Sequence, residues 1–118
     1  MQKLTIITKE LPDYSNAYLM TFDGDFDGYA KEDVVKVQDF IDRCKDKTDI
    51  VFDFTKLNYL NSYAIGHLID WNKRIAETGG TILIAGTPKS VGDIFTILGI
   101  DTLFKFYKTS EAAIKDLK

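Results

Sequence analysis

Asp53-Phe54-Thr55-Lys56-Leu57-Asn58-Tyr59-Leu60-Asn61-Ser62-Tyr63-Ala64-Ile65-Gly66 joins two kinds of pattern. Residues 50–54 are almost all apolar, as in a strand covered on both faces. A polar loop follows. At Asn61-Ser62 the spacing changes to that of an amphipathic helix. A strand that feeds a helix in this way is the repeating unit of a parallel sheet. The same stretch sets one hydroxyl, that of Ser62, in the first turn of the helix. Unpaired backbone N–H groups and the positive end of the helix dipole converge there. A serine at this point can carry a phosphate in one state and none in another. Such a residue makes a switch rather than a catalyst.

Outward from this stretch, strands and helices alternate. Residues 4–8 are short and β-branched, a first strand. Pro12-Asp13-Tyr14-Ser15-Asn16 is a turn cluster, and 17–22 read as a second strand paired to the first as a hairpin. Residues 23–28, dense in Asp and Gly, read as a loop. Over 31–44, Val34, Val37, Phe40, Ile41 and Cys44 fall at helical spacing. A second helix spans 62–78, with Ile65, Leu68, Ile69 and Ile75 inward and Gly79-Gly80 as its stop. Residues 81–85 are a fourth strand. Pro88 and Gly99 bracket a third helix with Val91, Ile94, Phe95 and Leu98 as its apolar face. Residues 103–107 are a fifth strand, and Thr109-Ser110-Glu111 opens a last helix. The order ββαβαβαβα predicts an α/β fold: a mixed, mostly parallel five-stranded sheet with about four helices. The first strand adds antiparallel at an edge.

The bulk numbers narrow the function. A chain of 118 residues favours one domain, 1–118. A net charge of −3 argues against a nucleic-acid-binding face. The single cysteine, Cys44, rules out an internal disulfide and suits a reducing compartment. No apolar run is long enough to span a bilayer, and the first residues lack a signal-peptide pattern. The expectation is a cytoplasmic protein, a monomer or weak dimer, without nucleic-acid or membrane partners.

At three places the chain resembles the STAS domain, the fold of bacterial anti-sigma factor antagonists. They are Gly24-Asp25-Phe26-Asp27, the stretch Asp53 to Gly66, and Leu98-Gly99-Ile100 through Leu103-Phe104 with the helix that follows. The resemblance covers nearly the whole chain. It implies partner switching: an unphosphorylated antagonist binds an anti-sigma factor that is also a serine kinase, phosphorylation ends the complex, and a serine phosphatase resets it. The family's phosphorylated serine falls on Ser62. Asn61, Ser62, Tyr63 and Ile65, with Asp25 and Asp27, become the candidate partner-binding rim. The family's Asp before the serine is Asn61 here, and Tyr63 and Ala64 replace smaller residues. Asn61 can cap the helix as well as Asp and removes a charge beside a phosphate.

Other motifs carry less. Asp23, Asp25 and Asp27 copy the start of a calcium loop, but position 12 is Val34 where a bidentate Glu is required, so no metal site is expected. His67, the only histidine, sits five residues from Ser62 with no partner at ligand or catalytic spacing. Cys44 reads as core, and Trp71 as either a platform or a core edge. Gly79-Gly80 and Gly86-Thr87-Pro88 lack the P-loop lysine. No cofactor and no catalytic constellation are expected. Two alternatives stay open: a STAS scaffold that does not use Ser62, and an accessory subunit in a small-molecule or lipid-handling complex.

Overall fold

The computed structural model describes residues 2–29 and 31–117. Five strands, β1 Thr5–Glu10, β2 Ala17–Phe26, β3 Asp49–Leu60, β4 Ile82–Ala85 and β5 Lys105–Tyr107, lie in the order β1-β2-β3-β4-β5. β1 pairs antiparallel to β2 at the edge, and the remaining pairs are parallel. The helices are α1 Lys31–Asp42, α2 Ser62–Glu77, α3 Lys89–Ile97 and α4 Ser110–Lys115, with a 3-10 turn at Asp101–Leu103. This is the architecture expected from the alternation of patterns.

The first three helices pack on one face of the sheet. Val34 and Val37 of α1, Leu68, Trp71 and Ile75 of α2, and Val91 and Phe95 of α3 close over Phe22, Phe26, Phe52 and Phe54. The rings meet in offset and edge-to-face pairs, such as Phe26 on Trp71 at 5.9 Å and Phe22 on Phe54 at 5.1 Å. These are the arrangements that the ring quadrupoles favour. Trp71 is fully buried, and Gln38 of α1 accepts its indole N–H at 2.9 Å. That settles its place as core. α4 covers the opposite face, with Ala113 and Leu117 against Val51, Leu83 and Ala85.

Several boundaries differ from the sequence reading. β2 continues through Asp23, Gly24 and Asp25 to Phe26, where a loop was expected, and β3 runs on to Leu60 through the expected polar loop. The two extensions pair with each other, and register shifts interrupt the ladder between Thr21 and Asp23 and between Gly24 and Asp25. Each shift breaks the apolar alternation by which a strand is read: Leu57 points inward out of phase with Phe52 and Phe54, and the second shift brings Leu60 back into phase with them. Gly24 has φ +115°, and a Cβ there would run into the Lys3 carbonyl. The first strand runs to Glu10 rather than stopping at Thr8. α1 ends at Asp42, leaving Cys44 half-buried just beyond it. Leu103 belongs to the 3-10 turn, so β5 starts only at Lys105. Ile69 and Leu98, expected inward, are both exposed. Trp71 fills the space above Phe26 and Phe52 and turns Ile69 outward.

The turn that ends α2 yields a stability test. At Gly80 an added Cβ would strike the Thr48 carbonyl, whereas at Gly79, with φ +89°, it would meet nothing within 4 Å. Gly79→Ala is expected to cost about 1 kcal/mol, from left-handed strain alone. Gly80→Ala should cost about 2 kcal/mol or more, because backbone must move. Urea denaturation of both variants checks the ranking, and equal losses would contradict the close approach.

Candidate functional site

β3 delivers its last residue, Leu60, into the core, and the chain turns at Asn61 into α2. Asn61 is the N-cap. Its backbone is extended, with φ −131° and ψ −171°, and its Oδ1 accepts the N–H of Tyr63 at 3.1 Å and of Ala64 at 3.4 Å. The Asn61 carbonyl accepts from the Ile65 N–H at 3.1 Å, which starts the helical ladder. A cap of this kind satisfies amides that a helix start would otherwise leave open. Ser62 is the first helical residue and is exposed. Among the described residues neither its N–H nor its hydroxyl makes a hydrogen bond. The hydroxyl is therefore accessible at the positive end of a sixteen-residue helix, α2.

The other expected rim residues divide. Tyr63 is half-buried, edge-on to His67 at 4.7 Å and to Phe26 at 6.5 Å. His67 continues this file to Trp71 at 5.4 Å, which makes it a half-buried ring in an aromatic stack. Asp25 is partly exposed on β2, and its Oδ2 accepts the Gln2 N–H at 3.0 Å while its own N–H donates to the Gln2 carbonyl. It ties the N-terminal segment to the sheet. Asp27 and Ile65 are buried. Asp27 is 5% exposed, its Oδ1 accepting the Tyr29 N–H at 2.9 Å, and Ile65 is 7% exposed in the core. Asp27 closes a tight turn after β2, and Ile65 follows the buried stripe of α2.

Sequence reasoning passed over Tyr29 and Tyr59. Phe26 pairs with Leu60, so the turn after β2 and the entry to α2 share one end of the sheet. In that turn Tyr29 is 90% exposed, and Tyr59 of β3 is also exposed. The available signal was an aromatic residue outside any apolar stripe. The three acids of the calcium-like motif do not converge: Asp23 and Asp25 accept from Gln2, and Asp27 accepts from Tyr29. Among the described residues no group of three or more His, Cys, Asp or Glu is placed to hold a metal. No helix among them is long and apolar enough to cross a membrane.

The STAS domain family model matches residues 8–113. A search of the curated proteins returns no match. Among solved structures the chain is similar to the Bacillus anti-sigma factor antagonist SpoIIAA. Its unphosphorylated form aligns at TM-score 0.77 and 16% identity over 94% of either chain. Its phosphorylated form aligns at TM-score 0.71 and 15% identity over 94% of this chain and 97% of that one. An anti-sigma factor antagonist from Mycobacterium paratuberculosis aligns at TM-score 0.77 and 14% identity, covering 98% of this chain and 94% of the other. A sulfate transporter family protein from Wolinella succinogenes aligns at TM-score 0.71 and 10% identity, covering 90% of each. At these identities the solved structures speak for the fold, and the family match extends it across 8–113: the chain belongs to the STAS domain family.

Proposed function

We propose that this protein is an anti-sigma factor antagonist that works by partner switching, with Ser62 as the phosphorylated residue. The partner is an anti-sigma factor that is also a serine kinase, reset by a serine phosphatase. The observation that carries the reading is the exposed, unbonded Ser62 hydroxyl at the first position of α2. A phosphate there would add about −1.5 to −2 charge. The domain would tolerate it, because the helix dipole favours an anion at this end. With Asn61 in place of an acid, the capping side chain adds no negative charge beside the phosphate. A partner surface seated over the same spot would meet a desolvated charge and separate. One modification thus ends binding without unfolding the domain, and no catalytic group of this chain is needed.

Asn61, Tyr63 and Asp25 form the partner-facing rim in this reading, and Asp27 supports it by holding the Tyr29 turn. A second reading, a STAS scaffold that assembles without Ser62, draws on the exposed apolar residues Ile97, Leu98 and Leu103. A stable oligomer on size-exclusion chromatography that is indifferent to substitution at Ser62 would favour it.

Two predictions separate fold from switch. In pull-downs with the cognate kinase, wild type and Ser62→Ala should bind alike, and Ser62→Asp should be released. Equal binding of all three would refute the switch. Asn61→Ala should lower stability by about 1 kcal/mol through loss of the cap, read by chemical denaturation. A loss near zero would show that the Asn61 hydrogen bonds do not stabilise the start of α2.

A further inference from the structure

Asn16 precedes β2 and Thr48 precedes β3, so both stand at the amino ends of strands, at the opposite end of the sheet from Ser62. α1 ends at Asp42, and the chain runs on through Arg43, Cys44, Lys45 and Asp46. These segments line a cavity of about 400 Å³, within the range of small-molecule sites. Its uncharged polar side chains bond within the chain. The Asn16 amide donates to the Lys47 carbonyl at 2.7 Å and to the Thr48 Oγ1 at 2.9 Å, and its Oδ1 accepts from the Tyr18 hydroxyl at 3.1 Å. Those bonds hold Asn16 at φ +54°, a left-handed conformation that asparagine adopts more readily than most residues. The rings of Tyr18 and Phe40, half-buried and edge-to-face at 4.8 Å, form an apolar wall.

Three charged side chains complete the lining: Arg43, Lys45 and Asp46, all exposed. Elsewhere in the fold, opposite charges this near in sequence close on one another, as Lys36 does on Asp33 and Lys47 on Asp49. The other arginine, Arg74, pairs with both Asp42 and Asp70. Among the described residues the side chains of Arg43, Lys45 and Asp46 make no ion pair and no hydrogen bond. Two cations and one carboxylate thus stand open to solvent around one cavity with an aromatic wall. A ligand carboxylate matches the two cations, and the arginine fork can take it bidentately. A ligand ammonium matches Asp46, and the C-terminal end of α1 favours a cation as well. A ligand with one charge leaves part of the lining unmatched, and a polyanion meets Asp46. We propose that this cavity binds a free α-amino acid with an aromatic side chain, its carboxylate on Arg43 and Lys45, its ammonium on Asp46 and its ring against Phe40 and Tyr18.

The test is an NMR titration of the full chain with L-phenylalanine. Separate arms use 3-phenylpropionate, which lacks the ammonium, 2-phenylethylamine, which lacks the carboxylate, and L-alanine, which lacks the ring. Saturable amide shifts should centre on residues 16–18 and 40–48, with a Kd of about 1 mM or tighter for L-phenylalanine. Each of the other three should bind at least about tenfold more weakly. Arg43→Gln and Asp46→Asn remove exposed groups with no partner to lose, so their thermal midpoints should match wild type. Each should nevertheless bind L-phenylalanine about tenfold more weakly, having lost a charge-assisted hydrogen bond. Arg43→Gln should leave the weak binding of 2-phenylethylamine as it was, and Asp46→Asn that of 3-phenylpropionate. Ser62→Asp should bind L-phenylalanine as wild type does, so this site stands or falls apart from the switch. The proposal is overturned by the absence of saturable shifts, by shifts centred elsewhere, by binding of either single-charge arm as tight as that of L-phenylalanine, or by unchanged affinity in either Arg43→Gln or Asp46→Asn.

Discussion

The parallel pairing of β2 with β3 is the constraint on which the rest of the structure depends. It is the longest ladder in the sheet, running from Ala17 opposite Asp49 to Phe26 opposite Leu60. Its two strands supply Phe22, Phe26, Phe52 and Phe54, the rings on which α2 rests through Trp71. Burial of aromatic side chains of this size contributes roughly 2–3 kcal/mol each. The two register shifts let both strands continue past the point where β4 and β5 have ended, which carries Asn61 to the edge of the fold. Had the ladder stopped at Phe54, the start of α2 would have no fixed place.

The molecule starts two of its helices in opposite ways. At α2 the Asn61 side chain satisfies the Tyr63 and Ala64 amides from within and leaves Ser62 outside with its hydroxyl unengaged. That arrangement stabilises the helix while leaving the Ser62 hydroxyl exposed. At α3 the N-cap is Pro88, which has no side-chain acceptor. Leaving donors unmet is unfavourable for the folded state alone.

Membership of the STAS family fixes the scaffold and says little about partners, since one fold carries many functions through the sites placed on it. The solved relatives include both anti-sigma factor antagonists and a sulfate transporter family protein. Asn61 stands before Ser62, Tyr63 begins an aromatic file through His67 to Trp71, and Tyr29 stands out from the turn that Asp27 holds.

The sequence by itself determined the element order, the α/β class and the start of α2 at Ser62. Those features rest on local pattern: apolar runs, helical spacing and an N-cap residue where the period changes. Only the tertiary structure decided how far β2 and β3 extend, because the register shifts erase the alternation that marks a strand, and Leu57 and Leu60 face inward only once paired with β2. The same holds for burial at single positions. Asp27 and Ile65 are buried and Ile69 is exposed, since exposure depends on which neighbour fills the adjoining space.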